Sequence, residues 1–145
     1  MSDIRESILA RLVEVVATVP NLRTVKRNDT DYFSALMPAA FVLDGDEDVV
    51  SGNEGSRPSN RPLLVEMSPE IHVIEQSGTI GSDITAFRRD LVKLVLADAT
   101  LNSLTGSNGA IQYLGCDSTF AWLEKQWGGL QIRFRFKYPL IVNDL

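Results

Sequence analysis

Two stretches of the chain repeat apolar residues at the spacing of an amphipathic helix. In the first, Ile4, Ile8, Leu12 and Val15 recur along one side, and charged residues occupy the other side. Apolar residues three or four positions apart share one face of a helix. The pattern therefore predicts a helix over residues 3–19.

The second helical pattern begins at a Ser-Asp pair, a good N-terminal cap. Ile84, Phe87, Leu91 and Leu94 form its apolar stripe. We expect this helix to run from residue 82 to about residue 99.

The end of the chain has the alternation of a strand that is covered on one side only. Its apolar residues are Ile132, Phe134, Phe136 and Tyr138, and the cations between them are Arg133, Arg135 and Lys137. A strand over 130–142 is predicted, paired with an earlier one over 110–123.

Further strands are expected at 23–27, at 39–43 and over 62–76, where Ser68-Pro69 interrupts the pattern. Proline inside a strand implies an edge, a bulge or a break. The order α-β-β-β-α-β-β predicts an α+β fold in which both helices pack on one face of a mostly antiparallel sheet. A length of 145 residues predicts a single domain over 1–145.

Between two predicted strands, residues 45–62 form a stretch rich in glycine, proline and charge. Its acidic residues are Asp46, Glu47 and Asp48, and its basic residues are Arg57 and Arg61. Long loops of this kind are usually functional or disordered. We interpret it as a flexible arm that orders on assembly, pairing with a second copy or another partner. The alternative is a solvated hairpin loop with no partner.

The composition limits the class of protein. An apolar fraction of 44% and a charged fraction of 23% are typical of a soluble globular protein. A net charge of −5 argues against nucleic acid as the main ligand. Charges among the first residues argue against a signal peptide. No run of ~20 apolar residues is present, so no membrane span is expected.

A metal site is not expected. Asp44, Asp46 and Asp48 match the first three ligand positions of an EF-hand loop, but Val49 stands where glycine is needed and Gly55 where glutamate is needed. An acidic, solvated turn fits this stretch better.

No motif for catalysis or cofactor binding is found, and phosphate-loop spacings are missing. His72, flanked by Glu70 and Glu75, is the single histidine, and we interpret it as a surface residue of a sheet. The single cysteine, Cys116, is in phase with Leu114 and is expected to be small and buried.

The predicted cationic face of Arg133, Arg135 and Lys137 is a poor nucleic-acid surface, because the aromatic residues point the other way. Pairing with acids such as Asp117, simple solvation, or a charged contact between subunits is the better interpretation. Trp127 lies at the turn before this strand, and tryptophan is common at interface hot spots. The alternative interpretation of Trp127 is that its indole folds back over the edge of the core.

Taken together, the elements resemble a known family. The chain has an opening helix (IRESILARLVEVVATVPNL), a strand that runs into a loop (PAAFVLDGDEDV) and a long broken strand (LLVEMSPEIHVIEQ). A middle helix (DITAFRRDLVKLVLADATL) and a closing pair of strands ending GGLQIRFRFKYPLIVNDL complete it. This order is similar to that of the tail terminator (tail completion, or minor tail protein U) proteins of tailed bacteriophages.

The resemblance implies a structural virion protein without cofactors, located at the tail and neck and assembled in the host cytoplasm. It implies a ring of identical subunits, commonly a hexamer, which stops growth of the tail tube and joins the tail to the head. The implied partners are a second copy, the tail tube protein and the head–tail connector, with DNA only as passing cargo. The loop and cationic-face residues named above as candidate contacts come from their charge, not from the family.

Two alternatives remain at this point. One is another head–tail connector or tail tube module of related fold. The other is a small enzyme or ligand-binding domain that uses His72.

Overall fold

The computed structural model describes residues 3–29, 31–51, 63–76, 80–106, 110–122 and 126–141. Within these ranges it has three helices, seven strands and one 3-10 turn at Tyr32–Ser34. The helices are α1 (Ile4–Ala17), α2 (Ile80–Ala97) and α3 (Ala99–Thr105). The strands are β1 (Thr24–Arg27), β2 (Ala39–Leu43), β3 (Glu47–Ser51), β4 (Leu63–Met67), β5 (Glu70–Glu75), β6 (Ile111–Trp122) and β7 (Gln126–Leu140).

The predicted α+β class is confirmed. All strands belong to one sheet, in which every pairing is antiparallel except that of β1 with β2. The long strand β7 is central, with β6 on one side and with β4 and β5 on the other.

The break at Ser68-Pro69 divides one strand into two without changing its register. Leu63 lies opposite Leu140 in the β4–β7 pair, and Glu75 lies opposite Gly128 in the β5–β7 pair. The register against β7 is the same before and after the break, so β4 and β5 are two parts of one interrupted strand along β7.

β2 and β3 together form the neighbouring ribbon, which pairs with β5 and β4. This ribbon bends beside the Ser68-Pro69 break. β2 pairs with β5, and β3 pairs with β4. At the bend, Gly45 has a left-handed backbone with φ of 73° and lies against the carbonyl of Ser68. The amide of Ser68 donates to the carbonyl of Asp46 at 3.0 Å. Residues 39–51 and 63–75 thus form the two arms of one long bent hairpin.

Residues 47–51 correct the prediction of a loop over 45–62. They form β3, and the hairpin therefore supplies four strands, which together with β1 makes five before the middle helix where three were expected. The remainder of the predicted loop, 52–62, lies outside the described residues.

The helices pack on one face of the sheet, as predicted. Their apolar side chains meet the buried faces of β2, β4, β5 and β7 in one core, in which Phe134, Phe136 and Tyr138 are fully buried. A small second cluster lies on the other face, where Tyr32 and its neighbours cover Phe41 and Ile74. The rest of that face carries the polar residues of the central strands, and we call it the open face.

The middle helix ends at Ala97 and a short additional helix, α3, follows it. Asp98 causes this division, since its carboxylate accepts the Leu101 amide at 3.0 Å as the cap of α3. The same carboxylate accepts two bonds from Arg11 of α1, at 2.8 and 3.0 Å.

Candidate interface surfaces

The cations of β7 point to the open face, where acids of the neighbouring strands balance them. Arg133 pairs with Asp117 of β6 at 2.5 Å, and Arg135 lies 3.5 Å from Glu66 of β4. Lys137 stands directly opposite Glu66 in the strand register. The predicted pairing with Asp117 is confirmed, and the cationic stripe is part of a surface of mixed charge.

Four carboxylates share this face with the three cations. Glu70 is opposite Arg133, and Asp48 is opposite Glu66 on the far side of β4. The open face therefore carries charges of both signs, although the neighbouring strands β3 and β4 both contribute acids. Such a surface does not have the clustered positive charge that phosphate binding requires.

The acidic residues at the start of the predicted loop lie at the edge of the sheet. Asp46, Glu47 and Asp48 are exposed, and Glu47 and Asp48 belong to β3. The hydroxyl of Tyr138 donates to Glu47, and burial together with this bond raises the pKa of Tyr138. Glu47 thus has a partner within its own chain.

The other predicted basic candidates of the loop, Arg57 and Arg61, lie outside the described residues. Asp44, which the calcium pattern included, accepts two bonds from Arg27 at 2.9 and 3.0 Å. Arg27 also donates to Glu6 at 2.7 and 2.9 Å. Within the described residues, no three His, Cys, Asp or Glu side chains group as metal ligands would.

Arg27 holds the bend of the hairpin against the first helix. Its bonds lower the pKa of Glu6, and they lower the pKa of Asp44 against the opposing effect of burial. Arg5 adds a bond to the carbonyl of Gly45 at 3.3 Å. The start of α1, the end of β1 and the bend are therefore fixed to one another.

Trp127 is partly buried and lies over the sheet. Its Cζ3 atom would be 3.6 Å from a β-carbon on Gly129, so the indole covers the strand where a side chain is missing. Together with Tyr32 and His72 it lines a shallow cavity of about 190 Å³ on the open face. The side chain of Trp122 lies outside the described ones.

His72 lies on the open face of the sheet, as expected for a surface histidine. Its Nε2 is 3.1 Å from Glu70, and its Nδ1 is 2.9 Å from the hydroxyl of Tyr32. Burial, followed by the charge of Glu70, raises the pKa of Tyr32. A raised pKa means that a smaller fraction of the Tyr32 hydroxyl is ionised near neutral pH.

Sequence reasoning missed Tyr32, because it is 40 residues from His72 along the chain. It also missed a register shift in β6 between Tyr113 and Gly115. That shift leaves Leu114 39% exposed, whereas Cys116 packs partly buried against the core. The two residues are therefore out of phase, contrary to the prediction.

No helix within the described ranges combines the length and apolar character that crossing a membrane requires. No model of a known protein family matches the sequence, and no curated protein matches it. Among solved structures, the chain is similar to one in "Virion of native gene transfer agent (GTA) particle", with 14% identity and a TM-score of 0.42. The match covers 94% of this chain and 92% of that one.

Proposed function

We propose that this chain is a structural virion protein, a tail terminator that forms a ring on the end of the tail tube. The ring, a hexamer in this proposal, stops addition of tube subunits and offers its other side to the head–tail connector. DNA passes through it without being a specific ligand, and the protein turns over no substrate. Assembly takes place in the host cytoplasm.

The order and pairing of the elements carry this proposal. A helix precedes the bent hairpin, a second helix follows it, and a closing hairpin of β6 and β7 completes one sheet. This is the order on which the resemblance to tail terminators depends. The break at Ser68-Pro69 and the long closing pair of strands are its most specific parts.

The described surfaces suit repeated contacts between proteins. The open face carries both signs of charge, so a neighbour of either sign finds partners there. Asp46 and Asp48 are exposed at the sheet edge beside it, and Trp127 is a half-buried aromatic at its other end. Contacts of moderate strength add up when a closed symmetric ring repeats them.

The proposal is tested by tube growth. Tail tube protein of the same virion is allowed to polymerise with and without this chain, and tube lengths are measured in negative-stain images. If the chain is a terminator, tubes that grow in its presence are shorter and then stay at constant length. A tube protein instead lengthens them or forms long tubes alone, and that result would rule the terminator out.

A second experiment uses a variant to test the candidate contacts of the open face. Replacing Arg133, Arg135 and Lys137 with glutamine keeps the strand polar but removes its positive charge. If the open face contacts the ring neighbour or the tube, arrest of growth requires at least about tenfold more of this variant. The control replaces two cations, Arg89 and Lys93, with glutamine on the outer side of α2, where Arg89 is 58% exposed, and should arrest growth normally.

A further inference from the structure

One lateral edge of the sheet is built from two strands in a stepped arrangement. β1 pairs with β2, while β3 continues the ribbon of β2 beyond the bend. The outer side of the ribbon is therefore covered by β1 along its first half and ends at β3 along its second half. Within the described ranges, neither β1 nor β3 has a strand on its outer side.

The two halves of this edge carry opposite charges. Arg23 and Lys26 lie at β1, and Asp46 and Asp48 lie at β3. Arg23, Asp46 and Asp48 are exposed, and Lys26 makes a half-exposed pair with Asp29 at 3.4 Å. These charges remain accessible to a partner, unlike Arg27 and Glu47, which are bonded within the chain.

Two features of β3 indicate that it lacks a neighbour. Asp48 stands directly opposite Glu66, and like charges in that position are destabilising. Val49 and Val50 are each 45% exposed beside these acids. A basic strand laid along β3 would offset the repulsion and cover the two valines.

A charged edge is the usual protection against unwanted strand pairing. Acidic groups at β3 repel another acidic strand, but they favour a basic one. The protection is therefore selective, and β1 of a second copy is a strand of the required sign.

The step makes this edge complementary to itself. β1 lies one strand farther out than β3, about 4.8 Å. A two-fold axis perpendicular to the sheet brings β1 of each copy into the recess beside β3 of the other. Because β1 and β3 run in the same direction within one chain, the axis makes the new pairs antiparallel.

We propose that two free copies of this chain join along this edge into a closed dimer with one continuous sheet. The basic β1 of each copy pairs with the acidic β3 of the other, so the contact occurs twice, as in any isologous interface. The dimer is a state of the free protein. It goes beyond the proposed ring and does not depend on it.

The experiment uses two charge-reversed variants. The first carries Asp46→Lys and Asp48→Lys, so both of its edge strands are basic; the second carries Arg23→Glu and Lys26→Glu, so both are acidic. Sedimentation velocity follows each protein from about 1 to about 100 μM. We expect the unaltered protein to dimerise and each variant alone to dimerise at least about tenfold more weakly.

The mixture of the two variants is the decisive arm. Both new contacts are complementary in the mixed pair, so an equimolar mixture should recover a 1:1 dimer. Arg89→Glu with Lys93→Glu makes the same change in net charge as the acidic variant but lies on α2, and it should dimerise like the unaltered protein.

Circular dichroism confirms that each variant is folded. Since Lys26 pairs with Asp29, Arg23→Glu alone serves as a milder acidic variant should the double one misfold.

In the unaltered protein, amide exchange of 47–51 should slow as the concentration rises. A monomer over the whole range, or a mixture that stays monomeric, would overturn the proposal. Tube arrest with a monomeric free protein would overturn the dimer and leave the terminator standing, whereas a dimer that does not arrest tubes would do the reverse.

Discussion

Gly45 lies directly against the backbone of the opposite strand. A β-carbon there would lie 2.0 Å from the carbonyl oxygen of Ser68, and the residue has a φ of 73°. Gly45→Ala therefore combines left-handed strain with a backbone clash, and we expect it to lower the free energy of unfolding by about 2–4 kcal/mol. Urea unfolding measures this change.

Gly106 provides a matched control. Its φ is 78°, but an added β-carbon there would meet nothing within 4 Å. Gly106→Ala should lower the free energy of unfolding by only about 1–2 kcal/mol, because it adds strain without a clash. Equal losses in the two variants would mean that the bend at Gly45 is not packed as described.

Arg27 connects Asp44 at the bend with Glu6 on α1. Arg27→Gln should lower the free energy of unfolding at pH 7 by about 1–2 kcal/mol through the lost bonds to Asp44. Arg89→Gln is the control, since Arg89 is 58% exposed and its bond to the adjacent Asp90 should contribute nearly nothing. A loss as small in Arg27→Gln as in the control would contradict the described contacts.

The same contacts set a pH dependence. The pKa of Asp44 in the folded protein lies below its ordinary value of 3.8, so its stabilising effect is complete above that value and is lost as the pH falls through the lower folded pKa. The free energy of unfolding should therefore decrease below about pH 4, and this decrease should be shallower in Arg27→Gln. If the two proteins have identical profiles between about pH 5 and pH 2.5, Arg27 does not perturb the carboxylate of Asp44.

At the scale of elements, the segment that connects β3 to β4 should be separable from these two strands. Replacing residues 52–62 with Asn-Gly-Gly shortens this connection and should change the free energy of unfolding by less than about 1 kcal/mol. A deletion that also removes 47–51 strips β3 from β4 and takes Glu47 from Tyr138. Chemical unfolding should show a larger loss for the second variant, and equal stabilities would show that β3 contributes nothing.

The elements that could be predicted are those whose periodicity the core enforces. The alternation of Ile132, Phe134 and Phe136 survives in the structure because each of these side chains is fully buried. In α1 the same holds for Ile8 and Leu12.

The elements that were missed depend on long-range contacts instead. Residues 47–51 have no apolar alternation, and pairing with β4 makes them a strand. The end of α2 is a mixed case, because the cap that Asp98 gives to α3 through the Leu101 amide is local, whereas the bonds of Asp98 to Arg11 join residues 87 positions apart. Neither partner can be identified from local pattern.

For the whole molecule, the sequence predicted where the charges of β7 point and offered Asp117 as a partner, but it did not identify Glu66. Asp117 and Glu66 come from two different strands, and only the sheet order brings them beside Arg133 and Arg135. Trp127 was expected at the turn before the closing strand, but it lies within β7, and its packing over Gly129 depends on the face that β7 turns to solvent. The candidate surfaces therefore follow from topology more than from motif.

In the proposed role, the protein acts once per tail, at the end of the tube. We would label its C-terminus with a gold-binding tag, add it to tail tubes assembled without it, and image the tubes by negative stain. We expect gold at one end of each tube, on a ring that closes it. Gold along the whole tube length, or no gold on tubes at saturating protein, would rule this role out.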